Sequence, residues 1–365
     1  MTTPATATQV HVRRKALDQA SLVEVHLPPL ADGAVRLEVE SFSVTSNNIT
    51  YAVVGEQIGY WNFFPAPEGF GIVPMWGHAK VIESNCADIT VGERVYGYLP
   101  MATHLDVMPG KVSASGFVDT TDYRAPLPPI YNQYSRLAAD PEHDPAREDE
   151  RMIFGPLFKT GFLIEYFMTA NDWFGAGRVI LTSASSKTAM SLASVAKQNS
   201  PEVTRIGLTS AGNVDFVTAT GLYDEVLAYG DVGSLAQEPS VSVDFAGNGA
   251  LLVQIHQHLG DNLKYSCLVG VTHIDERSGP AGSAEGLPGP TPTLFFAPDH
   301  AIELFKELGP EEAGKRLAAA WQGFLQTAEG SVTIQHRKGL DAARETYLAM
   351  VGGDVDPAQG IVIEP

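Results

Sequence analysis

From residue 155 onward, short apolar runs alternate with helical periodicity, and this rhythm constrains the chain more than any other feature. "RVILTS", "VTRIGLTS", "EVLAYGD", "VSVDFAGN" and "LKYSCLVGVTH" read as strands. "GPLFKTGFLIEYFMTAND", "TAMSLASVAKQN" and "GALLVQIHQHLG" read as helices between or before them. Strands that are apolar on both faces and separated by amphipathic helices predict an α/β fold with a doubly wound parallel sheet. "DHAIELFKEL" and "EEAGKRLAAAWQGFLQTA" add two amphipathic helices. "GLDAARETYLAMVGGDVDPAQGIVIEP" closes the chain as helix, turn and strand.

The N-terminal part has a different texture. Residues 9–28 and 34–46 alternate apolar and polar, and "AVRLEVESFSVT" reads as a strand running into a loop. "GHAKVIES" and "ERVYGYLP" are further short strands, punctuated by Gly and Pro, as in a compact, barrel-like β-rich domain. Residues 100–153, including "DTTDYRAPLPPIYNQYSRLAADPEHDPAREDERM", are too long for a simple connection. They are read as an ordered excursion or a lid, with a mobile linker as the alternative. A length of 365 residues suits about two domains.

Charge narrows the partners. A formal net charge of -19 repels phosphate backbones and anionic lipid surfaces, so nucleic acid and membranes are poor candidates. The two cysteines, Cys86 and Cys267, build no disulfide framework, which suggests a reducing, cytoplasmic compartment. The start, "MTTPATATQVHVRRKAL", lacks an apolar signal core, and no run approaches a membrane span.

The segment "VILTSASSKTAMSLASVAKQ" has the outline of a dinucleotide-binding strand–loop–helix unit, yet its loop contains no glycine. Glycines in such a loop permit a tight turn and close approach of backbone to pyrophosphate. Here Ser183, Ser185, Ser186, Lys187 and Thr188 stand in their place, and Ala189 takes the helix-packing position. The added side chains reduce space, but hydroxyls donate hydrogen bonds, Lys187 is a cation and a helix N-terminus favours anions. The group therefore reads as an anion site built from side chains, against the simpler reading that Ser and Thr only cap the helix. "SSKT" lacks the glycines and spacing of a P-loop.

Taken in order, these motifs resemble the medium-chain dehydrogenase/reductase superfamily, in its zinc-free quinone oxidoreductase and enoyl reductase branch. "VRLEVESFSVTSNNITYAVVG" resembles its first strands and active-site loop, "GERVYGYLP" its "GDRV" strand, and "YDEVLAY" its "ADEVINY". "SVDFAGN" resembles the end of its fourth Rossmann strand. The resemblance implies a GroES-like catalytic domain over 1–153, a Rossmann-like cofactor domain over 154–328 and a return to the catalytic domain over 329–365. It implies a homodimer paired through the Rossmann sheet edge, for which "LKYSCLVGVTH" and "TPTLFFAP" are candidates.

It also implies the site. Thr209 and Ser210 end the second strand without an acid, which favours NADPH over NADH, although Asn213 stands where a basic residue is common. Tyr229 resembles the family tyrosine that assists there, and Ala246, Gly247 and Asn248 lie at the fourth strand's end. Thr160 is the candidate beside the nicotinamide, with Lys159 facing substrate. In the early loop, Tyr51 is the candidate hydrogen-bond donor and Asn48 the positioner, with Asn47, Tyr60, Tyr131 and Tyr134 lining the substrate pocket. "GYWNFFP" is either part of that pocket or core. No zinc is expected, because "SVTSNN" replaces the early cysteine and "GHAK" has His78 without a following glutamate.

The expected activity is reduction of an α,β-unsaturated carbonyl, acyl thioester or quinone by hydride from NADPH. Two alternatives remain open. One is a non-catalytic binding protein that has lost the dinucleotide; the other is a repurposed loop that binds a different anion, such as the phosphate end of a coenzyme A thioester.

Overall fold

The computed structural model describes residues 6–269, 286–353 and 356–365. The first few residues of the chain, the end of "LKYSCLVGVTH" (270–273) and part of the final turn (354–355) lie outside the described residues. The chain divides into two compact units, Met1–Ile153 with Ile334–Pro365, and Phe154–Thr333.

The first unit is built on strands. β1 (Thr6–Arg13) and β2 (Ala16–His26) form an antiparallel hairpin, and β3 (Val35–Val44) follows. The segment after β3 is not the loop that the sequence suggested. It is a helix, α1 (Ser46–Val53), followed by a turn of helix, α2 (Gly55–Ile58). The local reason is a capping box, in which Asn48 reaches back to the Thr45 amide at 2.6 Å. β4 (Phe70–Gly71) pairs with β1, and β5 (Pro74–Ser84) and β6 (Arg94–Pro100) continue the main sheet from β3.

Residues 100–153 are an ordered excursion that joins the sheet rather than a lid. β7 (His104–Val107) pairs with β3; β8 (Pro109–Gly110), β9 (Gly116–Asp119) and β10 (Gln133–Arg136) extend the sheet beyond β6. A fully buried ion pair anchors it: Arg124 Nη1 lies 2.9 Å from Asp119 Oδ2, and Arg124 Nη2 donates to the Tyr131 carbonyl at 2.6 Å. A buried pair with each guanidinium nitrogen engaged holds a segment otherwise rich in turns.

In the second unit, α3 (Glu148–Ala170) begins seven residues before the helical pattern read from the sequence. Its first turn carries Glu148, Asp149 and Glu150, which the helix N-terminus favours, so a charged run became helix. Then follow β11 (Arg178–Leu181), α4 (Lys187–Asn199), β12 (Thr204–Thr209), α5 (Val214–Ala219), β13 (Glu225–Ala228), β14 (Ser240–Asp244), α6 (Gly249–Leu259) and β15 (Leu263–Leu268). A short edge strand, β16 (Thr293–Leu294), precedes α7 (Ala297–Ala328), which merges the two expected helices across a kink at Gly309 and Pro310.

The sheet order is β13-β12-β11-β14-β15-β16, all pairs parallel. In chain order this is 3-2-1-4-5-6, the order of a Rossmann sheet, with its reversal at β11. Ile180, Ile206, Leu208, Leu251, Ile255 and Leu259 pack on one face. β17 (Thr333–Lys338) and β18 (Gln359–Glu364) belong to the nine-stranded sheet of the first unit, with α8 (Gly339–Val351) between them in sequence, and β18 pairs antiparallel with β3.

Candidate functional site

The crevice at the carboxyl ends of β11, β12 and β14 is where a doubly wound sheet receives a ligand. Thr182 ends β11 and donates its hydroxyl to Asp244 Oδ1 at 2.5 Å, tying the two strand ends together. The same hydroxyl oxygen accepts from the amides of Phe245 and Ala246 at 3.0 and 3.1 Å. Asp244 Oδ1 also accepts from the amides of Ala246 and Gly247 at 3.1 and 3.3 Å. The turn Phe245–Asn248 is thus fixed before α6, whose first turn Asn248 caps through the Leu251 amide at 3.0 Å.

The glycine-free loop solves its turn differently from a glycine-rich one. Ser183 takes a left-handed conformation, φ 48°, which glycine adopts more readily. Its carbonyl accepts from the Ser186 amide at 2.7 Å, and the Ser186 hydroxyl caps α4 by accepting from the Ala189 amide at 3.3 Å. The Thr188 amide, in the first turn, has no acceptor within its own helix and remains a donor at the helix's positive end.

Glycine residues lie around the loop and not within it. A Cβ on Gly207 in β12 would sit 3.0 Å from Ala184 Cβ, and one on Gly161 in α3 would sit 2.6 Å from the Leu192 amide nitrogen in α4. Tyr223 donates to the Ala184 carbonyl at 2.7 Å and braces the loop from beneath. Sequence reading missed Gly161, Thr182, Gly207, Tyr223 and Asp244. Only Asp244 carried a signal, at the end of a buried strand.

The residues expected at the adenosine end fall around the same crevice. Asn213 donates to Ser185 Oγ at 3.2 Å. Thr209 is 1% exposed and its hydroxyl has no hydrogen-bond partner among the described residues, while the next residue, Ser210, is exposed. Tyr229 packs partly buried against the core of the sheet. On α3, the Thr160 hydroxyl donates to the Pro156 carbonyl at 3.3 Å, and Lys159 is exposed.

In the first unit, the structure gathers Tyr51, Tyr60 and Tyr131. Ring centroids of Tyr51 and Tyr60 lie 4.6 Å apart, and the hydroxyls of Tyr60 and Tyr131 share a hydrogen bond of 2.9 Å. Trp76 and Tyr98, unremarked in the sequence, complete the cluster, and Trp76 Nε1 donates to Tyr51 Oη at 3.1 Å. Burial raises the pKa of the Tyr51 hydroxyl well above that of free tyrosine, so Tyr51 is a protonated donor at neutral pH.

Tyr134 does not join them; it donates to the Tyr98 carbonyl at 2.6 Å and accepts from Arg124. Asn48 is 2% exposed and donates to the Pro74 carbonyl at 2.8 Å, so its amide holds α1 against β5. Asn47 is half-buried beside Tyr51. Of "GYWNFFP", Trp61, Phe63 and Phe64 are buried core, with the Trp61 indole packed into the space left by Gly55 and Gly71.

His78 is fully buried on β5, and neither ring nitrogen has a hydrogen-bond partner among the described residues. Burial lowers its pKa to about 3, so it is neutral. Among the described residues, no group of three or more His, Cys, Asp or Glu side chains is placed to hold a metal ion. No helix among them is long and apolar enough to cross a membrane. A separate hollow of 390 Å³, lined by Thr6, Thr8, Glu38 and His104 among others, contains none of the site residues above.

A family model described as "Protein of unknown function (DUF2855)" matches residues 42–356. The chain belongs to the DUF2855 family. No curated protein matches it. Among solved structures, CurA from Vibrio vulnificus in complex with NADPH is similar over 98% of both chains, with 14% identity and a TM-score of 0.61. The complex of Etr1p with NADP and crotonyl-CoA is similar over 99% of this chain and 100% of that one, with 15% identity and a TM-score of 0.57. The quinone oxidoreductase from Coxiella burnetii gives 14% identity and a TM-score of 0.54 over 99% of this chain and 100% of that one. These likenesses show the fold, a GroES-like domain with a Rossmann domain as in medium-chain oxidoreductases.

Proposed function

We propose that this DUF2855 protein is a zinc-independent reductase that uses NADPH to reduce an activated double bond in an α,β-unsaturated carbonyl, acyl thioester or quinone. The observation that carries the reading is the 3-2-1-4-5-6 parallel sheet with a polar, amide-presenting loop at its reversal point. The crevice fits a dinucleotide by its own chemistry. The buried Thr209 hydroxyl has no partner among the described residues, which suits a ligand oxygen at the end of β12, and Thr188 offers a first-turn amide. The similar structures whose titles name NADPH, NADP and crotonyl-CoA support the same reading.

In this reading Ser183, Ser185, Ser186, Lys187 and Thr188 hold the pyrophosphate. Thr209, Ser210, Asn213 and Tyr229 hold the adenosine ribose and its 2′-phosphate, and Ala246–Asn248 with Thr160 hold the nicotinamide half. A reduced nicotinamide supplies the hydride when bound. In the GroES-like unit, Tyr51 donates a hydrogen bond to the oxygen where charge develops, and Tyr60, Tyr131 and Asn47 shape the pocket beside it. Lys159 and Asn48 act as substrate neighbours only through the elements that carry them. The reading includes a cytoplasmic homodimer, paired through the edge at β16.

The test is loss of NADPH absorbance with purified protein and a panel of enones, acyl thioesters and quinones. Turnover with one class is the expected result, and no oxidation of NADPH across the panel overturns it. The absence of any loop glycine favours a second reading, in which the crevice binds another anion, such as the phosphate end of a coenzyme A thioester. Tight thioester binding without NADPH binding would select it.

A further inference from the structure

The cluster around Tyr51 contains a hydroxyl that the fold does not use. Tyr98 lies opposite Trp76 across the β5–β6 ladder; it is fully buried, and among the described residues its Oη makes no regular hydrogen bond. Phenylalanine would fill nearly the same volume without an unsatisfied buried hydroxyl, so the oxygen calls for a reason. Its surroundings supply one. The Tyr98 ring meets Tyr51 edge-on, centroids 5.5 Å apart at 84°, and the two hydroxyls interact at a geometry looser than a regular hydrogen bond. Trp76 Nε1 donates to Tyr51 Oη at 3.1 Å, and the Asn47 side chain lies beside the same atom. An indole N–H, a phenol O–H and a primary amide are all donors. In the resting protein, Trp76 donates to Tyr51, and the Tyr98 hydroxyl waits.

We propose that Trp76, Tyr98 and Asn47 form a donor nest for the phenolate of Tyr51, making Tyr51 the proton donor of the reaction and these three its positioning residues. The inference rests on the reductase reading. In the step it serves, the Tyr51 O–H bond breaks as a C–H bond forms at the α-carbon of a substrate enolate. The enolate's electron pair makes the new bond, and the O–H pair stays on Tyr51 as phenolate. Reduced nicotinamide supplies the hydride that generates the enolate, and water returns the proton to Tyr51. The loose contact from the Tyr98 hydroxyl strengthens when charge reaches Tyr51, which is stabilisation weighted toward the reacting state. Burial raises the pKa of Tyr51, and the hydrogen-bonding influence of Trp76, Asn47 and Tyr98 opposes that rise.

The test needs neither cofactor nor substrate. Tyr51 in the full-length chain is replaced by 2,3,5-trifluorotyrosine, a small and more acidic analogue, and its ionisation is followed by ¹⁹F NMR across pH. Introducing Tyr98→Phe, or separately Trp76→Phe, should make ionisation about tenfold weaker, a rise of about one pH unit, because each removes a donor to a charged acceptor. Tyr347→Phe removes another buried, unpartnered hydroxyl, on α8, and should leave it unchanged. A titration unmoved by both Tyr98→Phe and Trp76→Phe overturns the nest, and either variant suffices if the other fails to fold. NADPH binding is measured separately on the same proteins. Shifted ionisation without NADPH binding sinks the reductase reading, whereas NADPH binding with unshifted ionisation sinks the nest alone.

Discussion

Replacing Gly161 with Ala sets two known effects of opposite sign against each other. On an exposed helix, Gly→Ala gains about 0.5–1 kcal/mol, because alanine loses less backbone entropy. Gly161 is on α3, where an added Cβ would lie 2.6 Å from the Leu192 amide nitrogen and 2.9 Å from Ser191 Cβ. These obstacles belong to α4 and its backbone, not to the tip of a flexible side chain, so relief requires a helix to move. Overpacking of this kind costs about 1–3 kcal/mol. The clash should win, giving a net loss of about 1–2 kcal/mol. Urea unfolding followed by circular dichroism reads this as a lower midpoint at unchanged slope. Because α4 carries the Ser-rich loop at its start, NADPH affinity should fall as well. A variant more stable than wild type by about 0.5–1 kcal/mol would refute the close-approach reasoning, since that is the helix-propensity gain alone.

Asp244→Ala removes the acceptor of the Thr182 hydroxyl and of the Ala246 and Gly247 amides, and calorimetry should show a loss of about 2–4 kcal/mol. A loss under about 1 kcal/mol would mean that the turn is held by other contacts. Tyr98→Phe deletes a hydroxyl without a partner, so its stability should equal or exceed wild type, and a clear drop in Tm would reveal an acceptor for that hydroxyl. His78 is neutral in the folded protein because burial lowers its pKa from 6.5 to about 3. The unfolded chain therefore takes up this proton first, and the stability held above pH 6.5 is lost progressively as pH falls toward 3. His78→Leu should flatten stability against pH over the upper part of that window. Glu148, held at about 2 by its hydrogen bonds from Arg94 and His143 against the upward push of burial, keeps its own loss from pH 4.5 downward in the variant. A stability curve with the same slope between pH 6 and 4 as wild type would count against the buried neutral imidazole.

The Rossmann half was legible because its strands are buried on both faces and its helices are amphipathic, so the pattern of residues reports the architecture directly. The loop around Ser183–Thr188 was legible as a polar helix start for the same local reason: Ser186 is a cap whatever else it does. What lay hidden depends on contacts distant in sequence. Nothing near Gly161 or Gly207 in the chain announces that α4 and Ala184 press against them. Residues 100–153 read as an ordered excursion or a lid with no strands assigned, because Pro, charge and Tyr obscure strand periodicity, whereas β9 and β10 pair into the sheet and Arg124 is engaged by Asp119, Asn132 and Tyr134. The early segment was read as a loop because Ser, Asn and Thr are weak helix formers, although Thr45 and Asn48 close a capping box that starts α1. Tyr98 was invisible as a site residue, since a strand tyrosine in "GYLP" gives no sign that its hydroxyl meets no acceptor.

The central claim, that a glycine-free loop still cradles a dinucleotide, is tested most directly by fluorescence titration of the purified protein with NADPH, beside Lys187→Ala and Ser186→Ala variants. The account predicts saturable binding near the micromolar range, with affinity reduced about tenfold when the Lys187 cation is removed. Absence of binding up to about millimolar NADPH, equivalent to less than about 4 kcal/mol of binding free energy, would contradict it and leave the crevice to another ligand.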